Sequence, residues 1–284
     1  MDILKIDNIS KDYKDFRLND ISFNLPKGCI MGLIGENGAG KTTIVKLILN
    51  LVKRNSGTIK IFDLDNIENE QKIKQDIGVV LDESYFHDNL SPKDISIIMR
   101  NIYKSWDDAK FRSYLKQFKL NEDKIVKDYS KGMKMKLSIA TALSHNAKLL
   151  ILDEPTSGLD PIVRNEILDI FLDFIQDEER SILFSTHVTS DLDKIADYIT
   201  FIHEGSLVLS EPKDDILNKY AIVKCDEEQF ERIDKSHIIS YRKNSFGIEV
   251  LVDNIQNIKA YEDYIVDSVN LEDVMLFYIR RENQ

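Results

Sequence analysis

Cysteine is scarce in this 284-residue chain: there are two, Cys29 and Cys225, far apart and neither in a CxxC pair. That excludes a disulfide framework and a zinc knuckle, and it leaves both to be read as buried thiols. Long apolar runs are missing too, since none reaches the roughly 18 consecutive apolar residues of a membrane-spanning helix. The opening MDILKIDNIS has neither a basic flank nor an apolar stretch, so no leader is expected and the chain reads as soluble and cytoplasmic. Positive charge is in deficit, with 38 Lys and Arg against 49 Asp and Glu and a formal net charge of −11. Such a surface repels a phosphate backbone, and no nucleic-acid partner is expected. Internal repeats, low-complexity tracts and sustained heptads are absent as well. What is present is 43% hydrophobic and 31% charged residues, enough to bury a real core. The length fits about two domains.

The chain opens with short β-rich runs, Ile3 to Ile9, Leu18 to Leu25 and Cys29 to Ile34, which predict strands. The glycine-rich GENGAGKTT follows, then Ile44 to Val52 with apolar residues at helical spacing, and Asn55, Ser56 and Gly57 read as a helix stop. Long mixed segments with few breakers predict a helical insert from about Ser91 to His145, or about 85–145 at its widest. The apolar run Leu149 to Leu152 ends in Asp153 and Glu154, and Ile182 to Phe184 ends in Ser185, Thr186 and His187. Both predict buried strands with polar residues at their C-terminal ends, where open α/β sheets place ligands. From Asn218 onward YAIVKC, HIISYR and FGIEVLV alternate, while Asn254 to Tyr261 and Leu271 to Arg281 read as helices. That predicts a second, small α+β unit docked on the first.

Gly35, Glu36, Asn37, Gly38, Ala39, Gly40, Lys41 and Thr42, with Thr43 behind them, fit the pattern G-x-x-x-x-G-K-S/T between a predicted strand and a predicted helix. The glycines let the backbone curl so that its N–H groups point at phosphate oxygens, and the helix adds its positive N-terminal end. Lys41 would reach the β- and γ-phosphates, and Thr42 would offer its hydroxyl to Mg²⁺. This loop alone leaves kinases, GTPases, helicases and transport ATPases open. The run LLILDE narrows the choice, because Asp153 at a buried strand end can hold Mg²⁺ and Glu154 beside it can orient and polarise an attacking water.

With Pro155 to Pro161 downstream and Tyr129 to Met133 upstream, the chain resembles the nucleotide-binding subunit of an ATP-binding cassette transporter over about residues 1–217. The resemblance implies an α/β fold: a P-loop ATPase core with a parallel sheet, an antiparallel β subdomain and a helical insert. The segment 218–284 would add the small α+β accessory unit. It implies that ATP is the substrate with Mg²⁺ as cofactor, that Tyr13 stacks on adenine with Phe16 as its rival, and that His187 contacts the γ-phosphate and the catalytic acid. Ser130 and Gly132 resemble the family's signature loop, which in the family contacts the γ-phosphate held by the opposite subunit. A homodimer or heterodimer with two ATPs at its interface follows, and Asp160 resembles the residues that link the two sites. The signature departs from the usual two glycines and a glutamine, reading Lys131, Gly132 and Met133 after the serine.

A second departure is Asp82, where the family carries a glutamine that touches Mg²⁺ and water. A carboxylate is still a hard oxygen donor but adds negative charge beside a triphosphate, so slower hydrolysis with stronger Mg²⁺ dependence is expected. The resemblance further implies a separate integral membrane permease docked on the helical insert and a position on the inner face of the cell membrane. The ending VNLEDVMLFYIRR resembles the tails of bacterial exporter subunits, which points to a drug, peptide or lipid-like cargo. The alternative is a soluble mechanochemical or regulatory ATPase of the same kind without a permease.

Overall fold

The computed structural model describes residues 1–82, 85–253 and 264–281. Two long strands open the chain, β1 (Asp2–Asp12) and β2 (Arg17–Pro26), paired antiparallel with Asp12 opposite Arg17. Next, β3 (Ile30–Ile34) is buried at every position and runs through the glycine-rich loop into α1 (Lys41–Ile48). The chain returns to the first sheet with β4 (Ser56–Ile61) and β5 (Leu64–Asp65), giving the order β2-β1-β4-β5. A short helix, α2 (Glu70–Gln75), leads to β6 (Ile77–Val80). Three helices, α3 (Pro92–Ile102), α4 (Asp108–Gln117) and α5 (Lys131–Leu143), occupy the stretch read as a helical insert.

Then come β7 (Leu149–Asp153), α6 (Pro161–Phe174), β8 (Ser181–Thr186), α7 (Thr189–Ile195) and the hairpin of β9 (Tyr198–His203) and β10 (Ser206–Pro212). They complete a six-stranded sheet of order β10-β9-β3-β8-β7-β6, parallel except at the hairpin. Its central strands carry no polar alternation because both faces are covered. Leu149, Ile151 and Leu183 pack toward α1 and the antiparallel sheet, while Leu150, Leu152 and Phe184 pack toward residues of α5, α6 and α7. The three strand ends β3, β7 and β8 therefore open side by side at one edge of the sheet.

Beyond α8 (Lys213–Lys219) lies a third sheet of β11 (Tyr220–Cys225), β12 (Ile238–Asn244), β13 (Gly247–Asp253) and β14 (Ile265–Ser268), in the order β12-β13-β11-β14. Among the described residues, the α-helices α9 (Glu227–Arg232) and α10 (Leu271–Arg281) accompany it. One face of this sheet joins the main core through Tyr220, Ile222, Leu251 and Phe277, and the other forms a small cluster around Val223 and Val250. The Tyr220 and Tyr278 hydroxyls lie 2.8 Å apart. The Tyr278 ring stands edge-on to Phe201 of β9 at 6.3 Å, and the Asp193 carboxylate of α7 accepts the Leu271 N–H.

Several expectations need correction. Helix α1 starts at Lys41 rather than Ile44 and stops at Ile48, where Asn50 turns left-handed at φ +54°. Ser56 and Gly57, read as a helix stop, open β4 instead, because Gly57 lets the chain pass tightly over Asn8. Cys225 is buried, whereas Cys29 is only partly so. The helix read over Asn254 to Tyr261 lies outside the described residues. Among the described residues no helix is long and apolar enough to cross a membrane.

Candidate functional site

The glycine-rich loop begins where β3 ends, and two glycines have steric reasons to be there. A Cβ at Gly35 would lie 2.2 Å from the Ile202 carbonyl oxygen of β9. Gly40 caps α1 with φ +114°, and a Cβ there would press on Phe16 and Leu18 at 2.9 Å. The loop closes on itself with the Ala39 N–H donating to the Glu36 carbonyl at 3.1 Å, and Gly205 in the β9–β10 turn braces it by donating to the Ala39 carbonyl at 3.0 Å. Asn37 and Gly38 stand exposed at the loop's crest, Thr42 faces solvent and Thr43 is half-buried.

Lys41 is buried, and its ammonium donates to the carbonyls of Gly35 at 2.7 Å and Glu36 at 3.1 Å. It also lies 3.6 Å from a Glu154 carboxylate oxygen. Burial pulls its amine below the usual lysine value, opposed chiefly by the charges of Glu154 and Asp153. Asp153, at the end of β7, accepts from the Ser185 hydroxyl at 2.8 Å and from Thr42. Burial pushes its carboxyl above the ordinary range even so. Two hard oxygen groups thus meet at the head of α1, a donor set that suits Mg²⁺.

Glu154 holds a left-handed backbone at φ +52°, and its N–H donates to the Ser185 carbonyl at 2.9 Å. The other carboxylate oxygen pairs with His187 Nδ1 at 2.8 Å. The acid at the end of β7 is therefore clamped between a lysine from the loop and a histidine from the end of β8. Beside the loop a recess of about 490 Å³ is lined by Asp15, Phe16, Arg17, Asn37, Gly38 and Glu204. Phe16 faces this recess; Tyr13 is 46% exposed with its ring 6.4 Å from that of Phe16.

The remaining residues singled out in the sequence gather in a second group. Ser130 caps α5, its hydroxyl accepting from the Met133 N–H at 3.3 Å. Gly132 faces Leu159, and Asp160 caps α6 by accepting from Ile162 and Val163 at 3.1 Å. Asp82, expected to join Thr42 and Asp153 around a cation, follows the end of β6 beside this group. Its carboxylate turns to Lys131 at 3.7 Å, in a recess lined by Tyr129, Lys134, Met135 and Ser138. Sequence reading missed Ser185 as the partner of Asp153, although its place at the end of an apolar run was visible. It also missed the buried bond from Thr156 to Asp191 at 2.7 Å, for which no local pattern gave a sign.

A glycine-rich loop at a helix head, a buried lysine, and adjacent Asp and Glu at a neighbouring strand end define a P-loop nucleoside triphosphatase. Within that class, the family model described as "ABC transporter" matches residues 18–157. The lantibiotic transport ATP-binding protein of Streptococcus pyogenes is 39% identical over 75% of this chain and 92% of its own length. The bacitracin transport ATP-binding protein of Enterococcus faecalis is 35% identical over 72% and 68%. Among solved structures, an ATP-binding subunit of an ABC transporter superposes with a TM-score of 0.69 at 25% identity, covering 76% of this chain and 92% of that one. The chain belongs to the ABC transporter family, and it is an ATP-binding, ATP-hydrolysing subunit.

Proposed function

We propose that this chain powers a separate integral membrane permease from the inner face of the cell membrane, working as a dimer of ATP-binding subunits and exporting a peptide antibiotic, drug or lipid-like compound. The observation that carries the chemistry is the clamping of Glu154 between Lys41 at 3.6 Å and His187 at 2.8 Å. Glu154 orients a water for in-line attack on the γ-phosphate and takes up its proton. His187 fixes the carboxylate's rotamer, so the acid is in place before the substrate arrives. Lys41 exchanges its two carbonyl partners for β- and γ-phosphate oxygens, a trade of neutral for charged acceptors. Thr42 and Asp153 would hold Mg²⁺, which when bound neutralises charge across the phosphates. Phe16 and Tyr13 offer the aromatic surface for adenine.

Ser130, Gly132 and Asp160 sit in the second group, and we assign them to the nucleotide of the opposite chain. The N-terminus of α5, with its free N–H groups, suits a γ-phosphate approaching from outside. Residues 1–217 form the cassette and 218–284 an accessory unit. A groove of about 470 Å³ between β6, α3 and α5 supports the permease reading, lined by Leu51, Leu81, Tyr85, Met99 and Ile102 among others. Its rim leaves Leu51 54%, Tyr85 74% and Ile102 51% exposed, an apolar surface that fits the buried face of an amphipathic helix. The named activities of the bacitracin and lantibiotic relatives favour a peptide antibiotic cargo.

Purification from native cells in mild detergent tests this. A stoichiometric multi-span membrane protein is the expected companion. Recovery alone, or with ribosomes, would leave the ATPase chemistry standing and remove the permease.

A further inference from the structure

The two departures from the family pattern meet in space. Asp82 replaces a glutamine and Lys131 replaces a glycine, and the Lys131 ammonium lies 3.7 Å from an Asp82 carboxylate oxygen. The same ammonium lies against the loop that follows β7: an atom built at the Cβ position of Gly158 would sit 3.2 Å from it. One flexible side chain thus bridges three segments, the end of β6, the head of α5 and the loop leading to α6. Gly158, at φ +68°, leaves it the room.

Both charged side chains are about half exposed, 54% for Lys131 and 51% for Asp82. A pair so wet and so loosely spaced is weak and easily exchanged. The neighbouring cation, Lys134, already has its own partner in Asp88 at 3.5 Å. Lys131 is the first residue of α5, directly after Ser130, so it projects from the helix end that would meet the opposite chain's nucleotide. A triphosphate carries several negative charges and accepts charge-assisted hydrogen bonds that a lone screened carboxylate cannot match.

We propose that Lys131 is a phosphate-binding residue acting across the dimer, held by Asp82 in the open chain and handed to the γ-phosphate of the opposite chain's ATP on closure. Asp82 is then its counter-ion and sets how readily the dimer closes. The proposal rests on the dimer reading above. It also accounts for the acid at position 82, whose negative charge is matched by a lysine that the usual signature lacks.

The test measures ATP-driven association by sedimentation in the hydrolysis-blocked Glu154→Gln chain, at several salt concentrations. Adding Lys131→Gln should weaken association about tenfold or more and flatten its dependence on salt. Adding Asp82→Asn instead should tighten association, because the competing carboxylate is gone. With both substitutions present, the Asp82→Asn effect should vanish. Unchanged association and salt dependence in the Lys131→Gln chain would overturn the proposal, as would an Asp82→Asn effect that persists without the lysine. Failure of the Glu154→Gln parent to associate with ATP at all would overturn the dimer reading, and the proposal with it.

Discussion

Replacing Glu154 by Gln removes a base and leaves a side chain of the same shape between Lys41 and His187. ATP binding, read by equilibrium titration, should survive, while turnover falls about a hundredfold or more. His187→Ala frees the acid's rotamer rather than removing the base. It should lower kcat with little change in KM, and steady-state kinetics would show the split. Asp153 yields a prediction of a different kind. Its carboxyl is raised by burial, so the stability it lends is complete below its unfolded pKa and is lost as pH rises through the folded value. Asp153→Asn should therefore raise the Tm of the nucleotide-free chain by a few degrees at neutral pH. That gain should shrink as pH falls toward the ordinary carboxylate range, and the variant should lose the extra stabilisation by Mg²⁺ and ATP. Most of these residues were legible because phosphate chemistry demands fixed types at fixed spacing. The choice between Tyr13 and Phe16 was not, since only the folded chain shows that Phe16 lines the recess beside the loop. The Asp82 and Lys131 contact was hidden as well, for it joins the end of β6 to the head of α5, which only the folded chain brings together.

Among the elements, α3 has the clearest start. Ser91 and Asp94 cap it reciprocally, with the Ser91 N–H donating to Asp94 at 2.9 Å and the Asp94 N–H to the Ser91 hydroxyl at 3.2 Å. Ser91→Ala should cost about 1 kcal/mol in denaturant unfolding without altering ATP affinity. Since α3 forms one wall of the apolar groove, Ile102→Glu should weaken recovery of the permease severalfold while leaving ATP binding intact, as pull-down with quantified subunits would show. The strands β3, β7 and β8 could be read from their unbroken apolar runs, which burial on both faces requires. Helix α1 starts earlier than its apolar spacing suggests because the phosphate loop itself supplies the first turn. Strands β9, β10 and β14 escaped notice, being mixed runs whose pairing partners lie in distant or adjacent chain rather than in their own pattern.

At the scale of the whole molecule, the accessory sheet is part of the main core. Phe277 of α10 is fully buried there, together with Tyr220 and Leu251. Phe277→Ala should cost about 3–5 kcal/mol, and calorimetry should show one transition shifted down rather than two independent ones. Alternating runs revealed that this unit exists, but its shared core depends on Tyr278 reaching Phe201, and nothing in the local sequence announces that contact.

The order of the central sheet has a consequence for synthesis. Strand β3, which delivers the phosphate loop, pairs with β8 and β9, so Ile30 meets Ile182 and Met31 meets Tyr198. As the chain leaves the ribosome, this strand stays without neighbours until most of the cassette has been made. The site cannot take up a nucleotide before then, and an apolar segment stays uncovered in the meantime. A ribosome stalled short of β8 should therefore hold a nascent chain that binds chaperones but not ATP, and one stalled after β10 the reverse.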